Sequence, residues 1–153
     1  MSLTLYGPKS HLNAATRPDI VAKFLGIPLE HNRIPFSEIK SPEYLQKNPH
    51  GKIPVLETPD GCIYESLAII RYLARKSGKM YGNTPGETAA IDQWLEFSNT
   101  QLAGIIRILH FGLFGFLAFE MTKEKFNQAK KELIEMMKVI DAAVKKNGFL
   151  ASK

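Results

Sequence analysis

Apolar residues recur with a strand-like period of two near the start of the chain, and at three- and four-residue steps towards its end. Leu3-Thr-Leu-Tyr6 alternates and then meets Gly7-Pro8, which reads as a strand ending in a turn. Ile20, Val21, Phe24 and Leu25 sit at helical spacing, with Gly26 as the stop. Pro18 is tolerated in the first turn of this helix, Asp19 suits the same turn, and Thr16 is the expected cap. Residues 29–34 read as a second strand, polar on one face, and 37–47 as a short irregular helix ended by Asn48-Pro49. Ile53 to Glu57 and Cys62 to Tyr64 then form a hairpin around the turn Thr58-Pro59-Asp60-Gly61, where proline presets φ and glycine lets the chain reverse. Leu67 to Ala74 is an apolar helical run. Strand, helix, strand, helix, hairpin, helix predicts an α/β sheet with helices on both faces over residues 1–76.

Residues 77–86 carry glycine, proline and hydroxyl side chains without an apolar period, which marks a linker. Over 87–153 the period is purely helical. Ile91, Trp94, Leu95, Leu102, Ile105, Ile106 and Leu109 form one stripe. Phe126, Ala129, Leu133, Met136, Met137, Ile140, Ala143 and Val144 form another. Two antiparallel helices in a small second domain are expected, with Trp94 in their core. The stretch from Leu102 to Phe119 approaches the length of a membrane span. Arg107 near its centre would cost about 2.5–3.5 kcal/mol in a bilayer, and Gly104, Gly112 and Gly115 weaken a continuous helix. A bundle helix breaking near Gly112 to Gly115 is therefore expected rather than a span.

Composition narrows the function classes. Twenty basic against fifteen acidic residues leave a net charge of +5. The lysines from Thr122 to Lys146 are spread among acids, and no aromatic-basic platform accompanies them, so direct nucleic-acid reading is not expected. The single cysteine, Cys62, allows no internal disulfide and reads as a buried bystander. His11, His31, His50 and His110 fall in no metal spacing. The first ten residues lack a basic and an apolar secretory region, which makes the cytoplasm the expected compartment.

The informative stretch is NPHGKIPVLETPDGCIYES, from Asn48 to Ser66. A proline-shaped backbone edge at Ile53-Pro54 precedes the hairpin, and Glu65-Ser66 stands where the hairpin yields to a helix. The Ser66 hydroxyl can cap that helix, whose free N–H groups also favour a carboxylate from outside. In this order of features the chain resembles the glutathione transferase superfamily. The wording GKIPVLETPDGCIYESLAIIRYLAR is most similar to the transferase-like domain at the amino end of the gamma subunit of eukaryotic elongation factor one. The resemblance implies a thioredoxin-like N-terminal domain (βαβ-α-ββα), followed by a small, truncated all-α transferase-like domain. Family members continue beyond Gly148 to Lys153 into a further buried helix, so a fragment or a shortened paralogue is expected.

The resemblance also assigns roles. It implies a cis bond between Ile53 and Pro54, leaving the backbone of Ile53 to pair with glutathione. It places Glu65 and Ser66 at the γ-glutamyl group, and Lys40 and Lys52 towards the glycyl carboxylate. Family enzymes activate the thiol with a tyrosine or serine hydroxyl near the first strand, because a donor stabilises the thiolate. Tyr6 is one such position, or else a core aromatic. Aligning Ala15-Thr-Arg17 with the serine-type branch puts Asn13 where the hydroxyl would stand, a departure that puts catalysis in doubt. Glu65-Ser66 reads equally as a simple helix cap, and Lys52 as a solvated turn residue.

Two functions are implied. One is a scaffold of the elongation factor one complex, weak or inactive in catalysis, needing no cofactor and holding glutathione at most as a ligand. Its partners would be other subunits, or another protein covering the exposed helical face, with homodimerisation as a further assembly. The alternative is an enzyme conjugating glutathione to hydrophobic electrophiles.

Overall fold

The computed structural model describes residues 2–8, 15–114 and 122–151, the side chains of residues 111 and 114 excepted. Asn13, the departure from the family's hydroxyl position, lies outside the described residues, as do Gly115 and His11. The chain divides into two compact units, Met1–Tyr81 and Gly82–Lys153.

In the first unit the elements run β1 (Leu3–Gly7), α1 (Thr16–Leu25), β2 (Leu29–Arg33), α2 (Pro42–Lys47), β3 (Val55–Thr58), β4 (Gly61–Tyr64) and α3 (Ser66–Ser77). The four strands form one mixed sheet in the order β2-β1-β3-β4. β1 pairs with β2 in parallel and with β3 antiparallel, and β3 continues into β4. This is the thioredoxin-like arrangement that the order of elements predicts.

Strand alternation sorts the side chains onto two faces. Leu5, Leu56 and Ile63 stand in register across β1, β3 and β4. They meet Ala22 of α1 and Ile69 and Leu73 of α3 in the main core. The residues one step along, Tyr6, Val55 and Cys62, turn to the other face and gather with Ile34, Ile39, Tyr44 and Ile53. The Thr58 hydroxyl closes the hairpin, donating to the Gly61 carbonyl at 2.8 Å and accepting from the Asp60 N–H at 3.1 Å.

Three local expectations are adjusted. In α1, the face buried by Pro18 and Ala22 leaves Ile20 59% and Phe24 79% exposed, so the apolar spacing there exceeds what the sheet can cover. Thr16 is the first helical residue, and the cap position falls on Ala15, with no side-chain cap bond. The linker is shorter than residues 77–86. Ser77 ends α3 with its hydroxyl donating to the Ala74 carbonyl at 2.8 Å, and Pro85 already begins the next helix.

In the second unit α4 (Pro85–Phe97) runs through a π-helical turn (Ser98–Leu102) into α5 (Ala103–Phe114), and α6 (Lys123–Asn147) packs on α5. Gly104 and Gly112 are accommodated inside α5. A capping box opens α4. The Thr84 hydroxyl accepts from the Glu87 N–H at 3.2 Å, and the Glu87 carboxylate accepts from the Thr84 N–H at 3.1 Å. Along α6 the less exposed positions are 126, 129, 133, 136, 140 and 143, a narrow stripe at three- and four-residue steps. Met137 and Val144, expected on that stripe, are instead exposed beside it with Ile134. Contact with one neighbouring helix shields a seam narrower than the helix's apolar face. Trp94 is half-buried, edge-on to Phe97 at 5.4 Å, rather than a core residue. Among the described residues, no helix is long and apolar enough to cross a membrane.

Candidate functional site

The site is the end of the sheet where β1 finishes, β3 begins and β4 passes into α3. It starts from Asn48, which is 2% exposed and uses its backbone and amide together. Its N–H donates to the Tyr44 carbonyl at 3.0 Å, and its carbonyl accepts from the Gly51 N–H at 2.8 Å. Its Oδ1 accepts from the His50 N–H at 3.0 Å, and its Nδ2 donates to the Lys52 carbonyl at 2.7 Å. The buried Tyr44 hydroxyl donates to that same carbonyl at 2.9 Å. Two donors thus hold the peptide immediately before Ile53. Burial pushes the Tyr44 hydroxyl up to about 12, so it remains a donor throughout the neutral range.

The bond from Ile53 to Pro54 is cis. At Gly51, φ is +57°, and a Cβ would lie 2.6 Å from the Ile39 carbonyl oxygen, so glycine is required there. Lys40 closes the loop from outside, its ammonium donating to the His50 carbonyl at 2.7 Å. The Lys52 side chain is exposed.

Across the hairpin, Val55 pairs with Tyr64 in antiparallel register, which brings Pro54 and Glu65 to the same end of it. The His50 and Tyr64 rings meet at 6.2 Å and tie the loop to that junction. Glu65 has φ 69° and ψ 118°, a sharp exit from β4, and its carbonyl accepts from the Ile69 N–H at 3.0 Å. The expected capping by Ser66 is not the arrangement found. Ser66 is the first helical residue, and Glu65 at the cap position makes no side-chain cap bond. The turn at Glu65 replaces the extended backbone that a capping side chain needs.

Tyr6 is hydrogen-bonded within the sheet. Its hydroxyl donates to Glu57 Oε2 at 2.6 Å, and its ring packs in the same cluster as Ile53. Lys47 Nζ reaches the same oxygen at 2.7 Å and stands 5.0 Å over the Tyr6 ring. Lys47 first, then Tyr6, hold the Glu57 carboxyl below its ordinary range. Burial, reinforced by the bond to Glu57, raises the Tyr6 hydroxyl, which disfavours the phenolate. Burial likewise raises the Cys62 thiol, a setting unlike that of a reactive thiolate. Among the described residues, no three metal-binding side chains gather.

The structure therefore sets Lys52, Ile53 and Pro54 on one loop, brings the Lys40 ammonium onto that loop from before α2, and places Glu65 and Ser66 at the adjoining helix start. The Lys52 side chain is exposed beside the cis bond, and the first turn of α3 begins at the neighbouring junction. Asn48 and Tyr44 were not among the residues the sequence singled out. The Asn-Pro turn signal marked the place, but only burial reveals the amide's reach.

Known proteins share this fold. The model of the glutathione S-transferase N-terminal domain matches residues 1–75. The chain is 40% identical over 106 residues to a probable elongation factor 1-gamma 2 of Arabidopsis thaliana, covering 67% of this chain and 25% of that protein. It thus spans about a quarter of the length of that relative. Glutathione S-transferase F10 of Arabidopsis thaliana is 32% identical over 160 aligned residues, covering 99% of this chain and 73% of the relative. The structure of glutathione transferase URE2P6 from Phanerochaete chrysosporium in complex with oxidized glutathione superposes with a TM-score of 0.84 at 27% identity, over 99% of this chain and 72% of that one. This chain belongs to the glutathione transferase superfamily and has elongation factor 1-gamma proteins among its relatives.

Proposed function

We propose that the chain is a transferase-like scaffold of the elongation factor one complex in the cytoplasm, with a glutathione site that is kept for binding and is weak or inactive in conjugation. The likeness to elongation factor 1-gamma carries this reading. The engagement of the Tyr6 hydroxyl by Glu57 supports it, because that donor is already committed to a carboxylate and burial disfavours its phenolate. In this reading Ile53 offers its backbone to the cysteinyl unit of glutathione, Glu65 and Ser66 hold the γ-glutamyl end, and Lys40 and Lys52 attract the glycyl carboxylate. Other subunits of the complex cover the apolar side of the second unit.

A second reading, a transferase acting on hydrophobic electrophiles, is favoured by the likeness to glutathione S-transferase F10 along nearly the whole chain. Asn13 separates the two. With a generic electrophile, conjugation by the protein should stay at the rate of buffer, while Asn13→Ser raises it at least about tenfold by restoring a hydroxyl donor. Robust turnover by the unaltered chain would reverse the order of the readings. Absence of saturable glutathione binding at millimolar concentration would remove the site.

A further inference from the structure

We infer that Glu57 is a positioning residue: by holding Lys47 and Tyr6 on one carboxylate it latches α2 to the sheet, and so holds the loop before Pro54 in its binding conformation. The inference rests on the proposed reading only in taking that loop as the ligand-binding one.

α2 has six residues, too few to be stable as an isolated helix. Its attachments are therefore decisive, and two of them lie on one face and meet at Tyr6. Tyr44 is buried with its ring edge-on to Tyr6 at 6.2 Å and its hydroxyl on Lys52. Lys47, the last residue of α2, reaches across to Glu57 on β3. Asn48 follows Lys47 directly, so a shift of the Lys47 backbone is passed straight to the amide that shapes residues 48–52. Tyr6 donates to the same carboxylate oxygen from β1 and lays its ring under the Lys47 ammonium. Cys62, paired with Glu57 across the hairpin, supplies no charge at neutral pH, because burial holds its thiol protonated.

Amide hydrogen exchange on the intact chain without ligand tests the latch. Glu57→Gln and Lys47→Met should each speed exchange across residues 43–53 about tenfold or more, with α1 and α3 unchanged, while Lys47→Arg keeps the protection of the unaltered protein. Glutathione titration of the same proteins should show affinity reduced about three- to tenfold in the first two variants, and the double variant no worse than either. Unchanged exchange over 43–53, or an equal rise throughout Met1–Tyr81, would overturn the inference. If the unaltered chain binds no glutathione, the ligand reading fails, and the exchange data still decide whether Glu57 holds the loop.

Discussion

Asn48 shows how one buried side chain shapes a binding loop. Its amide donates to the Lys52 carbonyl and accepts from the His50 N–H, so truncation removes two side-chain bonds inside the loop and leaves the His50 N–H without that acceptor. Tyr44 contributes a single further bond to Lys52, whose carbonyl keeps the Asn48 donor when the hydroxyl is removed. Asn48→Ala should accordingly cost about 2 kcal/mol in urea denaturation, and Tyr44→Phe about 1 kcal/mol. Equal effects, or a larger loss at Tyr44, would show that the amide does not organise the loop.

Between elements, the bridge from α2 to β3 depends on pH. The Glu57 carboxyl is lowered from its ordinary value of 4.5 chiefly by Lys47, then by Tyr6. The contribution of the bridge is complete above that ordinary value and is lost as the pH falls through the lowered one. The groups facing Glu57 are Lys47 from α2, Tyr6 from β1 and Cys62 from β4, and none of them becomes anionic in the acid range. Since the Glu57 side chain is 43% accessible, salt should weaken the bridge. Acid titration at low salt should show faster exchange of residues 43–53 below pH 4.5 than at neutrality, relative to the intrinsic rates, and Glu57→Gln should abolish the difference. A pH-independent profile in the unaltered protein would contradict the bridge.

At the scale of the molecule the two units differ in how they are held. The first contains a core in which Val55, Leu56, Ile69 and Leu73 are wholly enclosed. In the second, Ala129 is the buried hydrophobic residue among those described, while Ile106, Ile134, Met137 and Val144 are exposed. Burying such side chains stabilises by about 25 cal/mol per Å² of apolar area, so their exposure favours association. Light scattering of the intact chain at micromolar concentration should therefore exceed the 17.2 kDa of a monomer. Ile134→Lys with Met137→Lys should shift it towards monomer while changing stability by no more than about 0.5 kcal/mol, as surface substitutions do. A compact, stable monomer of the unaltered protein would contradict this expectation.

The order of strands and helices was legible because these elements carry their own period and stop signals: alternation in Leu3 to Tyr6, the Pro-Asp-Gly turn, and Gly26 after α1. The resemblance carried the cis bond before Pro54. Those signals are local, acting over a few residues of backbone. Which apolar positions are covered was not local, as Phe24 and Met137 show, because a helix's period does not state how wide a surface its neighbours offer. The partners of Asn48 and of Glu57 likewise came only with the fold. A buried amide and a carboxylate shared by Lys47 and Tyr6 depend on strand register and on where α2 lands, and both arise from contacts between segments distant along the chain. By itself the sequence determined the thioredoxin-like scaffold; tertiary packing decided which polar groups face one another upon it.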